Sequence, residues 1–499
     1  MFTPDFERFC SLARQGNLIP VYREHLADME TPVSAFSRFA EDDYAFLLES
    51  VEGGERWGRY SFIGLHPTRI FTVENGEGIL RDPANPSEAR TVGEGFSSLK
   101  ELMAEYTPVP LPELPPFYGG AVGYIGYENV TEFEPLPSPK TPLSKPTTAL
   151  MFTDELAIFD NVRHTVSVVV CVHIDKYDSL EAAYEDACER IRGIESRLQQ
   201  PEEQRHSSPA PIPDTDIDLT ANMDSKNFCE LVRKASDYIL SGDVIQVVLS
   251  QRFTAAPPAS PLSIYRALRL INPSPYTFFL KFGDRCLVGS SPEVMVRLTG
   301  NTAHLRPIAG TRQRGGTEQE DRQLADDLLA DEKERAEHVM LVDLGRNDLG
   351  RVATPGSVQT RRFMAIERYS HVMHIVSDIE AVLQKDKDAF DLLKATFPAG
   401  TLTGAPKIRA MEIIHELEPE SRGPYGGAVG YIGYDGNMDT AITIRTILLD
   451  DGTLSVQAGA GIVADSDPES EYQETINKAQ GMVKALKLAA NNLDLNALK

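Results

Sequence analysis

Ten residues occur twice in this chain. Tyr118-Gly-Gly-Ala-Val-Gly-Tyr-Ile-Gly-Tyr127 reappears unchanged as Tyr425-Gly-Gly-Ala-Val-Gly-Tyr-Ile-Gly-Tyr434, more than three hundred positions later. Glycines spaced among aromatic and branched residues suit a strand that lets another backbone approach closely. Used twice, the segment predicts two similar sheet-rich halves packed against each other.

The flanking pattern fills in the elements. Phe6, Phe9, Cys10 and Ala13 recur at helical spacing, and Thr31-Pro32 starts a second helix. Tyr44–Ser50 and Arg59–Gly64 read as strands, 95–106 as a helix, and Pro108 to Pro116 as a connection. Two long strands, Thr147–Asp160 and Arg163–Ile174, follow the first copy, and a helix from about Ser179 to Gln200 closes the N-terminal part. Pro201 to Leu219 has the composition of a surface linker. A capped helix then opens at Asp224-Ser225 and ends at Gly242. Val244–Phe253 is an apolar strand, and strands continue to Ile308 around a helix near Pro261–Ile271. One long helix is expected from about Glu318 to Gly345. Tyr369–Leu383 alternates as a strand with Val372, His374, Val376 and Asp378 on one face. Thr440–Asp450 and Thr453–Val463 form a hairpin, and the last helix runs from about Asp467. The class is α+β with antiparallel-leaning sheets, lacking regular βαβ alternation. The expected division is 1–200, a linker over 201–222, and 223–492.

The chain has 499 residues, 41% hydrophobic and 25% charged, with 49 Lys and Arg against 74 Asp and Glu and a net charge of −25. So acidic a chain makes nucleic acid and anionic membranes poor partners, and an anionic substrate needs a locally basic pocket. Five scattered cysteines (Cys10, Cys171, Cys188, Cys229, Cys286) show no metal-ligand spacing and suggest a reducing compartment. No run reaches the ~18 apolar residues of a membrane span, and no basic-then-apolar leader opens the chain, so the expected location is the cytoplasm.

Glu334 and Glu337 are three apart and share a helix face, and Glu471 and Glu474 repeat the spacing near the start of the last helix. Alone, either pair is ordinary solvated surface. Together they can build an all-oxygen site of the kind Mg²⁺ prefers, completed by waters and substrate oxygens. Arg445, in a largely apolar strand, needs an anion, from protein or ligand. Gln457-Ala-Gly459-Ala460-Gly461 either bares main-chain N–H groups to a ligand or packs a tight strand pair. Glu293, after Ser-Ser-Pro292, suits a general acid or a surface turn. His374 suits proton handling or a satisfied core position. Lys407 follows a Gly/Thr loop that lacks the form of a phosphate loop, so nucleotide binding is rejected.

Arg306–Arg312, Glu337–Asp348, Phe397–Lys407 and Gln457–Gly461 together resemble the chorismate-utilising enzymes. The resemblance spans nearly the whole chain and is densest from about 224 to 485. It implies a two-part α/β sandwich. It implies Mg²⁺ held directly by Glu337 and Glu474, with Glu334 and Glu471 holding its waters. Chorismate carboxylates would be held by Tyr425, Arg445 and the backbone of Gly459, Ala460 and Gly461, with Gly310 and Thr311 lining the pocket. Glu293, His374 and Thr401 would be the catalytic set. Water-adding members carry Lys where this chain has Gln246, and members that attack the ring covalently carry Lys where it has Ala309. Neither residue here can act as base or nucleophile. The implied reaction is therefore amination of chorismate by ammonia with loss of pyruvate, giving anthranilate for tryptophan biosynthesis. Formation of 2-amino-2-deoxyisochorismate is the alternative, followed by aminodeoxychorismate synthesis and by a non-catalytic chorismate-binding subunit. No cysteine lies in the Gly-flanked elbow of a class I glutaminase, so a separate glutamine amidotransferase subunit is the implied partner. Leu47-Leu48-Glu49-Ser50 and Asn272–Tyr276 resemble the family's effector motif. They imply tryptophan as an inhibitor held by Glu49, Ser50, Pro275, Tyr276 and Thr277, with Val429 and Tyr431 alongside.

Overall fold

The computed structural model describes residues 1–50, 58–137, 145–200, 217, 219–369 and 372–498. Its strands come in two sets of ten. The N-terminal set is β1 Leu18–Leu26, β2 Tyr44–Glu49, β3 Tyr60–Leu65, β4 Arg69–Glu74, β5 Glu77–Asp82, β6 Asn85–Glu94, β7 Gly120–Ile125, β8 Thr148–Thr153, β9 Glu155–Asp160 and β10 Thr165–His173. The C-terminal set is β11 Gln246–Ala255, β12 Tyr276–Phe282, β13 Arg285–Ser291, β14 Val294–Thr299, β15 Thr302–Leu305, β16 Val372–Val382, β17 Ala428–Gly433, β18 Met438–Ile442, β19 Thr446–Asp450 and β20 Thr453–Ile462. Four further strands, Thr220–Ala221, Ile308–Gln313, Gln359–Arg368 and Gly404–Ala405, pair at the margins.

One sheet runs β1-β10-β9-β3-β2-β12-β13-β19-β20-β11, the other β6-β5-β4-β8-β7-β17-β18-β14-β15-β16. Each order is a palindrome: a strand and the one numbered ten higher hold mirrored places. The halves join at β2·β12, where Glu49 faces Thr277, and at β7·β17, where Gly123 faces Gly430. The ten strands thus recur in each half, but the halves are joined edge to edge in two shared sheets rather than packed as separate sheet-rich units, and the repeated segments lie side by side at the junction. A Cβ at Gly123 would stand 2.0 Å from Ala149 O, and one at Gly430 2.2 Å from Asp439 O, so both neighbours press on the bare backbone. Side chains from both sheets fill the core between them, among them Tyr124, Phe152 and Phe278. A second core packs the helices Leu180–Leu198, Pro261–Ile271 and Pro468–Ala490 on the outer face of the first sheet. Among the described residues no helix is long and apolar enough to cross a membrane.

Three expectations are corrected. The strand expected over Thr147–Asp160 is β8 in one sheet and β9 in the other, with Asp154 at the crossing. The strand expected over Thr440–Asp450 likewise divides into β18 and β19 around Thr443, Ile444 and Arg445. Arg445 has φ +48° and so marks a passage between sheets, not a mid-strand position. The helix expected from Glu318 is two helices, Glu318–Ala330 and Glu332–Gly350. Asp331 ends the first, and its carboxylate caps the second by accepting from Lys333 N and Glu334 N. Of the expected linker, 201–216 and 218 lie outside the described residues, and Thr220–Ala221 pairs with the end of β11.

Candidate active site

The crossing between β18 and β19 turns Arg445 into the space between the sheets. Its guanidinium donates to Asn272 Oδ1 at 3.2 Å, and among the described residues it forms no ion pair. Burial pushes its pKa below the ordinary arginine value, with the nearby charge of Glu293 opposing. A buried cation with one neutral partner is costly unless an anion joins it. Glu293, on the turn from β13 to β14, has its carboxyl pushed up to about 7 by burial, against the Thr401 hydroxyl and the charges of Arg445 and Lys478. It is therefore a candidate acid rather than a surface turn.

His374, on β16, has Nδ1 2.9 Å from Gly310 O. A carbonyl only accepts, so Nδ1 carries the proton and Nε2 is left as acceptor. The Thr311 hydroxyl lies 3.1 Å from the same nitrogen. Burial lowers the ring's pKa, which keeps it neutral at pH 7. Gly310 has φ +68°, and a Cβ there would stand 3.1 Å from Glu334 Oε2. The bend thus joins His374 to the carboxylate helix.

The helices Glu332–Gly350 and Pro468–Ala490 bring the four predicted glutamates into one neighbourhood. Burial raises Glu337, and the charges of Glu334 and Glu474 raise it further. Burial also raises Glu471, with Glu474 adding to it. Glu334 pairs with Arg312 at 3.2 Å and Glu474 with Lys478 at 2.7 Å. Among the described residues no three His, Cys, Asp or Glu side chains form a ready-made metal cage. Mg²⁺ usually keeps several waters and takes few protein carboxylates, so this donor set fits it.

β20 supplies the floor. A Cβ at Gly459 would meet Leu249 O and Tyr425 Oη, each at 2.8 Å, and one at Gly461 would meet Gln246 Nε2 at 2.5 Å. Tyr425 and Gln246 therefore lie against bare backbone, and Ala460 between them is fully buried. Burial raises the Tyr425 phenol well above its usual range, so it remains a donor. Sequence reasoning missed Lys478, which donates to Gly459 O at 2.9 Å. Its place one turn after Glu474 on the same helix face was the available signal. Glu293 thus interacts with Thr401, Arg445 and Lys478, His374 with Arg445, and Glu337 with Glu334, Glu474 and Lys478, while Tyr425 lies against Gly459.

The predicted effector residues form a separate cavity of about 270 Å³ at the junction of the halves, lined by Glu49, Ser50, Pro275, Tyr276, Thr277, Val429 and Tyr431. Glu49 is already engaged there by Tyr265 and by Arg269 Nε at 3.1 Å. The Ser50 hydroxyl is buried without a partner among the described residues. Among the lining residues the sequence did not point to are Asp439, which accepts from Tyr276 Oη at 2.9 Å, and Arg297, which pairs with Asp439 at 2.6 Å.

A family model described as chorismate binding enzyme matches residues 44–484. The chain belongs to the chorismate-binding enzyme family. This family member is 47% identical to anthranilate synthase component 1 of Acetivibrio thermocellus, over 98% of this chain and 99% of that one. Its identity to anthranilate synthase component 1 of Synechocystis sp. is 48%, over 98% and 99%. Among solved structures, anthranilate synthase component I from Streptococcus pneumoniae matches with a TM-score of 0.75 at 37% identity, over 87% of this chain and 95% of that one. The menaquinone-specific isochorismate synthase of Escherichia coli shares the fold, with a TM-score of 0.67 at 20% identity over 97% and 99%.

Proposed function

We propose that this chorismate-binding family member is an anthranilate synthase component 1, a lyase that converts chorismate and ammonia to anthranilate and pyruvate at the entry to tryptophan biosynthesis. One observation carries the reading. Arg445 is a half-buried cation with no ion-pair partner among the described residues, and it acts electrostatically on an acid at Glu293 and a base at His374. A dicarboxylate supplies the anion this pocket lacks. Glu337 and Glu474, with Glu334 and Glu471 behind them, would hold Mg²⁺, which supplies Lewis-acid stabilisation of developing charge.

Arg445, the Tyr425 hydroxyl and the Gly459–Gly461 backbone orient the substrate. Ammonia adds to the ring carbon beside the carboxylate-bearing one as the ring C–O bond breaks, and the hydroxyl leaves as water with the Glu293 proton. The new ammonium gives up a proton to solvent, His374 Nε2 takes the proton from the amine-bearing carbon, the enolpyruvyl C–O bond breaks, and the enolate released takes up a proton from solvent to become pyruvate. Gln246 cannot activate water, which favours ammonia as nucleophile. The ammonia would come from a separate glutamine amidotransferase subunit, since four of the five free cysteines are buried and none is a credible nucleophile. Free, mostly buried cysteines also suit a cytoplasmic enzyme. The cavity at the junction of the halves would take tryptophan as a feedback inhibitor.

Incubating the chain with chorismate, Mg²⁺ and ammonium should produce anthranilate fluorescence. An aminated product that keeps its pyruvyl group would make the chain a 2-amino-2-deoxyisochorismate synthase, and absence of any amination would sink the reading. Glutamine should replace ammonium only when the partner glutaminase is added. Robust anthranilate formation from glutamine by the purified chain alone would overturn the two-subunit reading.

A further inference from the structure

The loop that carries Tyr425 is held from the other half of the molecule. Glu128 stands one residue past the first copy of the repeated segment and is 8% exposed. Its two carboxylate oxygens accept the backbone N–H of Arg422 at 2.6 Å and of Gly423 at 2.9 Å. Beside it, Tyr127 N–H donates to Gly423 O at 2.8 Å. The end of the first copy thus grips the segment leading into the second, two residues before Tyr425.

The Arg422 side chain, 2% exposed, extends this grip into the pocket. Its guanidinium donates twice to the Glu418 carboxylate, at 2.8 and 2.6 Å. It also donates to Leu402 O at 2.7 Å and Val248 O at 2.8 Å. Leu402 adjoins Thr401, and Val248 is two residues from Gln246 on β11. The same guanidinium lies 5.7 Å from the centre of the Tyr425 ring. A buried ion pair is often no more stabilising than apolar packing of the same volume. What a forked guanidinium and a bidentate carboxylate add is fixed geometry.

We propose that Glu128 is a positioning residue for the reaction, setting through the Arg422–Gly423 backbone where the Tyr425 hydroxyl stands over Gly459. The proposal rests on the reading of Tyr425 as a substrate contact. Removing the partner that orients a metal ligand typically costs 10–100-fold, and an oriented substrate contact is the analogous case. Glu128→Gln keeps the shape but presents an amide where Arg422 and Gly423 need two acceptors. It should raise the KM for chorismate about tenfold while kcat stays within about threefold and thermal unfolding remains cooperative. A double-mutant cycle with Tyr425→Phe discriminates the route. If Glu128 acts through Tyr425, the double variant should be no worse than the more damaged single variant. Glu128→Asp, which keeps the charge, serves where Glu128→Gln folds poorly. Additive effects, wild-type KM in a folded Glu128 variant, or loss of the fold in both variants would overturn the positioning role. An unchanged KM in Tyr425→Phe would overturn the substrate role of Tyr425 and this proposal with it.

Discussion

Arg445 combines two unfavourable conditions in one residue. Its φ of +48° costs a non-glycine residue about 1–2 kcal/mol, and its half-buried charge has no ion-pair partner among the described residues. Arg445→Gly relieves both, so it should raise the melting temperature while abolishing turnover, readable by calorimetry beside an anthranilate assay. A less stable glycine variant would show that the strain assignment is wrong. Glu293 offers a second test at this scale. Burial raises its carboxyl to about 7, so the acid form dominates below that pH and the carboxylate above it. At a fixed concentration of free NH₃, kcat/KM should fall about tenfold per pH unit above this value. Glu293→Gln should lower kcat by about 10²–10⁴ and remove that limb. A wild-type profile in Glu293→Gln would transfer the proton to another group.

The hairpin β17–β18 links the two cavities. Tyr431 and Asp439 face each other across it and line the junction cavity. Tyr425 and Arg445 lie just beyond its other end, where Gly426 N donates to Thr443 O at 3.0 Å. The hairpin offers a route by which tryptophan at one end would bias the other, and a coupling of about 1–3 kcal/mol suffices for useful inhibition. Ser50→Phe should fill the 270 Å³ cavity and leave an active enzyme that tryptophan no longer inhibits. By reciprocity, chorismate should weaken tryptophan binding to the wild type by the same factor. Calorimetry showing no tryptophan binding, or unchanged inhibition of Ser50→Phe, would refute the assignment. These elements were unequally legible in the sequence. The repeated segment announced the junction, and the Glu-x-x-Glu spacings announced the carboxylate helices. The crossings at Asp154 and Arg445 were hidden because neither carries Gly or Pro and buried apolar strands flank both. β4 to β6 escaped as well, since β6 is exposed along nearly its whole length and has no alternation to read. Asp439 and Glu128 stayed invisible because their partners lie far away in sequence, whereas Lys478 stood in plain view beside Glu474 and looked like an ordinary helix-surface pair.

At the scale of the whole molecule, the palindromic sheets raise the question why the candidate site lies in only one half. The N-terminal half carries an image of the site. Gly64-Leu-His66-Pro67-Thr68 follows the spacing of Gly289-Ser-Ser291-Pro292-Glu293, and each glycine pairs near the start of the corresponding strand, β9 or β19. Counted from their N-caps Ser179 and Asp467, the helices Leu180–Leu198 and Pro468–Ala490 place Tyr184 like Tyr472, Asp186 like Glu474 and Arg190 like Lys478. Yet Glu155 stands where the other half has Arg445. It accepts from Arg190 Nε at 2.7 Å and lies 2.7 Å from His66 Nδ1, so an anion stands where the other half has its cation, and the protein itself already pairs it. The second carboxylate helix is also missing from this half, since β5 and β6 join directly, whereas Glu332–Gly350 is inserted between β15 and β16. An image with its charge already neutralised and half its metal donors absent can keep the spacing without the chemistry. Asp186→Asn should therefore leave kcat and the Mg²⁺ titration within about twofold of wild type, while Glu474→Gln or Glu337→Gln at the complete site abolishes Mg²⁺-dependent turnover with the fold intact. Calorimetry should count one chorismate per chain. A matching loss of activity in a folded Asp186→Asn, or near-wild-type turnover in Glu474→Gln across the titration, would mean that the halves differ less in function than their charges imply.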